Sequence, residues 1–227
     1  MYDIIKHYEK VSPEILKAYE VMDESASINE CLKVNGAVTH EFRPVWPGKR
    51  IIGTAFTVKA RPGDNLILHK AISLLKPGDV LVVSCDGYQE SGGMWGGIMS
   101  LAAKTNGAVG MVIDGCVRDT MVMQEIGFWV WSRGIDVKMS TKITPGKINH
   151  PVIIGGVLVN PGDLVFADND SVVFVPRELA SSTLETAIKR EENEAKVIAE
   201  TKKDGCYVYN TNFKAKFDAL GLSEAPE

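Results

Sequence analysis

The sequence predicts an α/β fold: one domain of mixed sheets and flanking helices, with a helical N-terminal extension and a long C-terminal helix. Three observations point there. Strand-like and helix-like stretches alternate through the middle of the chain, which suggests βαβ units and parallel pairing. Beyond Val137 come short apolar runs separated by Gly and Pro, VIIGG, VLVN, LVFAD and VVFVP, the texture of an antiparallel or mixed sheet. After Pro176, a polar segment carries Leu179, Leu184, Ala187, Ile188, Ala195 and Ile198 as an apolar stripe at helical spacing.

Each element has a local reason. Ser12, Pro13 and Glu14 supply a cap, a first-position proline and a first-turn acid for a helix running into Ile15, Leu16, Tyr19 and Met22, so the first thirty-odd residues read as helical. A second short helix is expected over Ser27 to Val34. IIGTAFTVKA, from Ile51, is a β-branched strand. Pro-Gly-Asp recurs at Pro62, Pro77 and Pro161; the second and third copies are tight turns feeding strands, with Asp79 and Asp163 as turn residues. In the first copy Asp64 instead caps a helix containing Leu66, Ile67, Lys70, Ala71 and Leu74. There follow a strand over Val80 to Cys85, a Gly-rich loop, a helix over Ile98 to Asn106 and a strand over Val109 to Ile113. A helix over Asp119 to Ile126, a strand over Phe128 to Trp131 and a final helix over roughly Arg177 to Lys203 complete the reading. The chain divides into a helical extension (1–35), an α/β domain (36–205) and a C-terminal tail (206–227).

Composition removes several function classes. A net charge of −4 without a basic run argues against nucleic acid, whose binding relies on a Lys/Arg excess that releases counterions. The start MYDIIKHYEK is not a signal sequence, and no stretch of about eighteen apolar residues suggests a membrane span, so a cytoplasmic protein is expected. Cys31, Cys85, Cys116 and Cys206 show no CxxC spacing, and His7, His40, His69 and His150 no HxxxH or HExxH, so neither a disulfide framework nor a zinc site is indicated. There is no GxxxxGK[ST], no GxGxxG after a strand and no GxSxG elbow. Lys59 raises a Schiff-base alternative, but its place in the strand makes it a solvated residue.

Two clusters could carry chemistry. Gly87, Gly92, Gly93, Gly96 and Gly97 stand between a buried strand and a helix whose first turn, Gly96-Gly97-Ile98-Met99, offers unpaired amides and the positive end of a dipole. With no acid to repel an anion and no Lys or Arg for a triphosphate, that turn suits a small carboxylate. In VGMVIDGCVRDTMVMQEIG a strand ends at Asp114-Gly115 and a helix begins near Arg118-Asp119. The carboxyl ends of parallel strands line ligand crevices, so both clusters should face one cleft. Arg118 can fork onto a carboxylate, while Asp119 is the hard oxygen ligand that magnesium takes while keeping waters. Trp95, just before the turn, is placed at the pocket edge.

The run PGKRIIGTAFTVKARPGDNLILHKAI, then KPGDVLVV, WGGIMSLAAKTNGAVGMVIDGCVRD and PGDLVFADNDSVVFVP, resembles the RraA-like family from near Ile28 to about Gly205. That family contains divalent-metal 4-hydroxy-4-methyl-2-oxoglutarate/4-carboxy-4-hydroxy-2-oxoadipate aldolases and also the protein regulator of ribonuclease E. The resemblance implies a class II aldolase that uses Mg2+ or Mn2+ to release pyruvate from a 4-hydroxy-2-oxo acid, with oxaloacetate decarboxylation as a side activity. The alternative it implies is a non-catalytic partner of a ribonuclease. It assigns the substrate carboxylate to the amides of Gly96, Gly97, Ile98 and Met99, a substrate contact to Arg118 and the metal to Asp119. It further implies a homotrimer or a hexameric dimer of trimers, with Glu194, or second Glu191, reaching a neighbouring subunit's site. Aldolases of the family carry an acid directly after the first glycine of the turn. Here that position is Gly97, and Asp86 or Glu90 are the nearby carboxylates that could replace it.

Overall fold

The computed structural model describes residues 3–87 and 92–222. Its centre is a curled mixed sheet built on four parallel strands: β2 (Ile51–Lys59), β3 (Asp79–Ser84), β5 (Gly110–Val117) and β6 (Trp129–Ile135). Antiparallel strands finish both edges. β1 (Arg43–Pro44) lies against β6, while β10 (Leu164–Ala167) pairs with β2 and with β11 (Val172–Val175), giving the order β1-β6-β5-β3-β2-β10-β11. Two short strands join from the side: β4 (Gly93–Trp95) on β5, and β7 (Lys147–Ile148) on β2. β8 (Val152–Ile154) and β9 (Val157–Val159) form a separate hairpin.

Period-two alternation sorts the central strands between two apolar layers. Leu81 and Val83 of β3, with Phe56, Met111 and Ile113, face the helices α3 (Leu66–Ile72), α4 (Gly97–Thr105) and α5 (Thr120–Ile126). Val80 and Val82, with Ala55, Val112 and Trp131, face the interior of the curl, closed by the β8–β9 hairpin. A third layer packs Tyr19, Met22, Ile28 and Leu184 against Phe166, Val173 and Val175. It lies beneath α1 (Pro13–Ala18), α2 (Ser25–Cys31) and α6 (Ala180–Thr201).

Several elements depart from the sequence reading. The N-terminus is not helical throughout: helix starts only at Pro13, on a Ser12 side chain that accepts from the Ile15 amide at 3.3 Å. Residues 4–11 form a strap without helix, tied at its start to the edge of β7, where Ile5 N donates to Ile148 O at 3.1 Å, and at its end to Gly162 O. The second helix begins at Ser25 rather than Ser27. The strand expected to end at Ile113 continues to Val117 through an irregularity at Asp114-Gly115, since β4 and β6 both extend to pair with it. The final helix opens with a 3-10 turn, and the tail carries a further helix, α7 (Lys214–Leu220). The Pro-Gly-Asp turns behave as their chemistry requires. Asp79 accepts from the Lys76 amide at 2.9 Å, Asp163 from the Asn160 amide at 2.8 Å, and Asp64 from the Leu66 amide at 3.0 Å.

Candidate active site

β5 and β4 deliver the two clusters to one place. The Arg118 amide donates to Trp95 O at 2.9 Å, so the segment leaving β5 lies directly against the segment entering α4. Asp119 then adopts a left-handed backbone, φ 60°, which an aspartate tolerates better than most residues and which turns its side chain back. Its Oδ2 accepts from the Gly97 amide at 3.1 Å. The carboxylate therefore caps α4 rather than α5, the helix it precedes in sequence. Ser100 closes the first turn of α4 on Gly96 O at 3.0 Å, which leaves the amides of Ile98 and Met99 as the turn's remaining donors.

Glycine at 96 is a matter of space. A Cβ there would collide with Asp119 Oδ2, and one at Gly93 would stand 2.9 Å from Arg118 Cβ. At Gly97 a Cβ would stand 2.6 Å from Val122 Cγ1, so an acidic side chain at this position requires Val122 to move. Arg118 is half-buried and makes no ion pair among the described residues, which leaves its guanidinium available to an incoming oxyanion.

Trp95 is not at a pocket edge. It is fully buried and stacked on Phe128 at 6.1 Å, with its Nε1 donating to Ser100 Oγ at 2.7 Å. The Ser100 hydroxyl in turn donates to Gly96 O at 3.0 Å, so the indole anchors the start of the helix from below. Buried indoles need such a partner, and the nearest one lies inward.

Other sequence candidates fall elsewhere. Lys59 is partly exposed and pairs with Asp86, so Asp86 is committed to β2. Glu90 lies outside the described residues. Glu194 pairs with Arg190 at 2.6 Å, and Glu191 accepts from the Asp23 amide at 3.3 Å. Both sit on α6 near α2, and within one chain they are not brought to Asp119.

Two features of the site's surroundings were not read from sequence. Asn65 donates from Nδ2 to Met94 O at 3.0 Å, placing a buried amide beneath the turn. Asp114, at the β5 irregularity, accepts from Arg133 Nε, and Arg133 also pairs with Glu41 and lies over the Phe42 ring at 4.8 Å. Burial pushes the Asp114 carboxyl up to about 6, against the lowering effect of the Gly87 backbone hydrogen bond. No local pattern marks such pairs; only Asp114-Gly115 at a strand end hinted at one.

Among the described residues no group of three His, Cys, Asp or Glu could enclose a metal. The donor set is one exposed carboxylate, Asp119, with Oδ1 unengaged. That suits a hard ion that keeps most of its waters, as Mg2+ does, and not one that demands several nitrogen or sulfur ligands.

Comparison with known proteins agrees with this architecture. The pattern of the RraA-like family, described as Aldolase/RraA, matches residues 18–174. The chain belongs to the RraA-like family. A Halalkalibacterium halodurans member, named provisionally as a 4-hydroxy-4-methyl-2-oxoglutarate aldolase, is 34% identical over 154 residues, covering 68% of this chain and 73% of its own. A Pseudomonas syringae structure described as an uncharacterized protein superposes with a TM-score of 0.77 at 29% identity, covering 87% of this chain and 96% of its own. Streptomyces coelicolor RraAS2, described as an unusual member of the RNase ES inhibitor RraA family, gives 0.74 at 27% identity, covering 84% and 98%. RraA-like proteins thus include members named as aldolases and members described as ribonuclease inhibitors. Among the described residues of this one, no helix is long and apolar enough to cross a membrane.

Proposed function

We propose that this RraA-like protein is a divalent-metal-dependent carbon–carbon lyase. Its substrate would be a 4-hydroxy-2-oxo di- or tricarboxylate, cleaved to pyruvate and a second 2-oxo acid, with oxaloacetate decarboxylation at the same site. One observation carries the reading: an arginine, a carboxylate oxygen and the amides of a helix start, all without partners among the described residues, converge on one short surface. Asp119 would hold Mg2+ or Mn2+, which would supply Lewis acidity to the bound oxo acid. The amides of Ile98 and Met99 bind the C1 carboxylate. Arg118 sets a fixed positive charge beside the 2-oxo oxygen, where negative charge develops as the C3–C4 bond breaks, so its contact strengthens toward the transition state. With glycine at 97 the turn itself offers no acceptor, so the 4-hydroxyl proton would leave to solvent as C3–C4 breaks and the enolate C3 would take a proton back from solvent to give pyruvate.

Pyruvate release from oxaloacetate and from a 4-hydroxy-2-oxo dicarboxylate, followed by coupled lactate dehydrogenase, is the direct test. Turnover is expected only with added Mg2+ or Mn2+ and is expected to stop with chelator. Arg118→Ala should lower kcat/KM by roughly 10²-fold or more. Cleavage that survives chelation, or near-normal turnover in Arg118→Ala, would refute the mechanism.

The second reading, a binding protein that regulates a ribonuclease without catalysis, is favoured by Gly97 and by the space Val122 occupies there. It predicts tight ribonuclease binding together with no metal-dependent activity on either substrate.

The site's rim supports a further part of the proposal, self-association with shared sites in a trimer or dimer of trimers. Ile98 is 87% exposed, Val137 82%, Met139 81% and Met121 77%. Met139 bridges to Gly93, and Ile98 and Met121 lie in the first turns of α4 and α5, beside Gly97 and Asp119. Apolar side chains this exposed beside polar groups support the reading that this surface is buried between subunits. Light scattering should give a multiple of the 24.8 kDa chain mass. The double change Val137→Asp and Met139→Asp should shift it to a monomer and cut turnover about tenfold or more. A wild-type monomer with full activity would remove the shared site.

A further inference from the structure

The N-terminal strap builds a cavity that the activity above does not use. The strap is fastened at both ends: Ile148 N donates to Asp3 O at 2.9 Å, and Val11 N donates to Gly162 O at 2.9 Å. Between these ties it bridges over the α3 side of the sheet and lines a half-open cavity of about 560 Å³ against Phe56, Leu74 and the amino end of β3. No residue of the cavity belongs to the Arg118–Asp119 cluster, and the strap lies outside the segment that matches the family.

Its wall is rich in donors. Lys6, Lys10 and Lys76 line it, and the one carboxylate, the fully buried Asp79, is already satisfied by Lys10 Nζ at 2.5 Å and by the Lys76 amide. Lys6 and Lys76 have no ion pair among the described residues. The Tyr8 hydroxyl, whose pKa is raised by burial and by Asp79, stays protonated, and it has no hydrogen-bond partner among the described residues. Asn149 adds no donor, since its Nδ2 is spent on Ile5 O at 2.9 Å and its buried Oδ1 can only accept. Phe56 and Leu74 supply an apolar floor.

We propose that this cavity is a second ligand site, for a small dianion with a short carbon body: a dicarboxylate or a phosphate monoester. Two uncompensated ammonium groups and one neutral hydroxyl donor balance two negative charges, and the apolar floor accepts the carbon chain. A volume of this size accommodates a metabolite and not a polymer. The inference does not depend on the proposed lyase activity.

Titration calorimetry on the full chain, with chelator present and Asp119→Asn as background, keeps the Arg118–Asp119 site from contributing. Succinate and glycerol 3-phosphate serve as probes, one for each source of charge. At least one is expected to bind with a Kd of about 1 mM or tighter. The exposed pair Lys6→Gln and Lys76→Gln should weaken it about tenfold or more, and Tyr8→Phe severalfold. Succinate alone would assign a dicarboxylate, glycerol phosphate alone a phosphate ester, and both the shared dianion chemistry. No heat from either probe at about 10 mM, or binding unchanged in the lysine pair, would overturn the proposal.

Discussion

Asp119→Asn is expected to lower metal-dependent pyruvate release by on the order of 10³-fold, about 4 kcal/mol of transition-state stabilisation. The change is nearly isosteric, and asparagine tolerates the left-handed backbone at this position, so the Gly97 amide can keep an acceptor. What is lost is the negative charge that would hold the divalent ion. Because the side chain is exposed, unfolding free energy should change by less than about 1 kcal/mol, and the activity loss will not be a folding defect. Turnover within about tenfold of the wild type at saturating Mg2+ would take Asp119 out of the chemistry.

Trp95→Ala should have the largest effect on stability, roughly 3–5 kcal/mol in the midpoint of urea denaturation corrected by the m-value. The ring is fully buried, and its removal opens a void against Phe128 and strips Ser100 of its donor. Trp95→Phe separates the two contributions: most of the volume returns, while the Nε1 hydrogen bond, worth about 1 kcal/mol, does not. A loss below about 1 kcal/mol in Trp95→Ala would mean the core closes over the void.

The parallel core of the fold was legible because its signals are local. β-branched runs, Pro-Gly-Asp turns and a Gly-rich strand-to-helix loop each act within a few residues, and β2, β3, α3 and α4 lie within a residue or two of where the sequence puts them. The meeting of Gly96-Gly97 with Arg118-Asp119 followed from a general rule about strand ends, without any knowledge of the contact itself. The rest depends on partners distant in sequence. The strap over residues 4–11 has no period of its own and is held at its two ends by distant backbone, the edge of β7 and Gly162 O. Arg133 and Asp114 stand nineteen positions apart, and Asn65 reaches Met94 across twenty-nine. Trp95 was misplaced for the same reason: its hydrogen-bond partner five residues on decides its direction, and neighbouring letters do not reveal it.

α6 has a consequence in terms of reach. Its buried residues, Ala180, Thr183, Leu184 and Ala187, all fall in the first eight of its twenty-two positions. From 188 to 201 the helix is a rod of about 21 Å at 1.5 Å per residue, running past its last buried residue. Glu191 and Glu194 stand about 6 and 10 Å along it, measured from Ala187. A neighbouring Asp119 must come within a side chain's length of those two marks for either glutamate to arrive. Subunit spacing, more than the chemistry of the helix, therefore sets whether this glutamate-rich rod serves a second molecule's site.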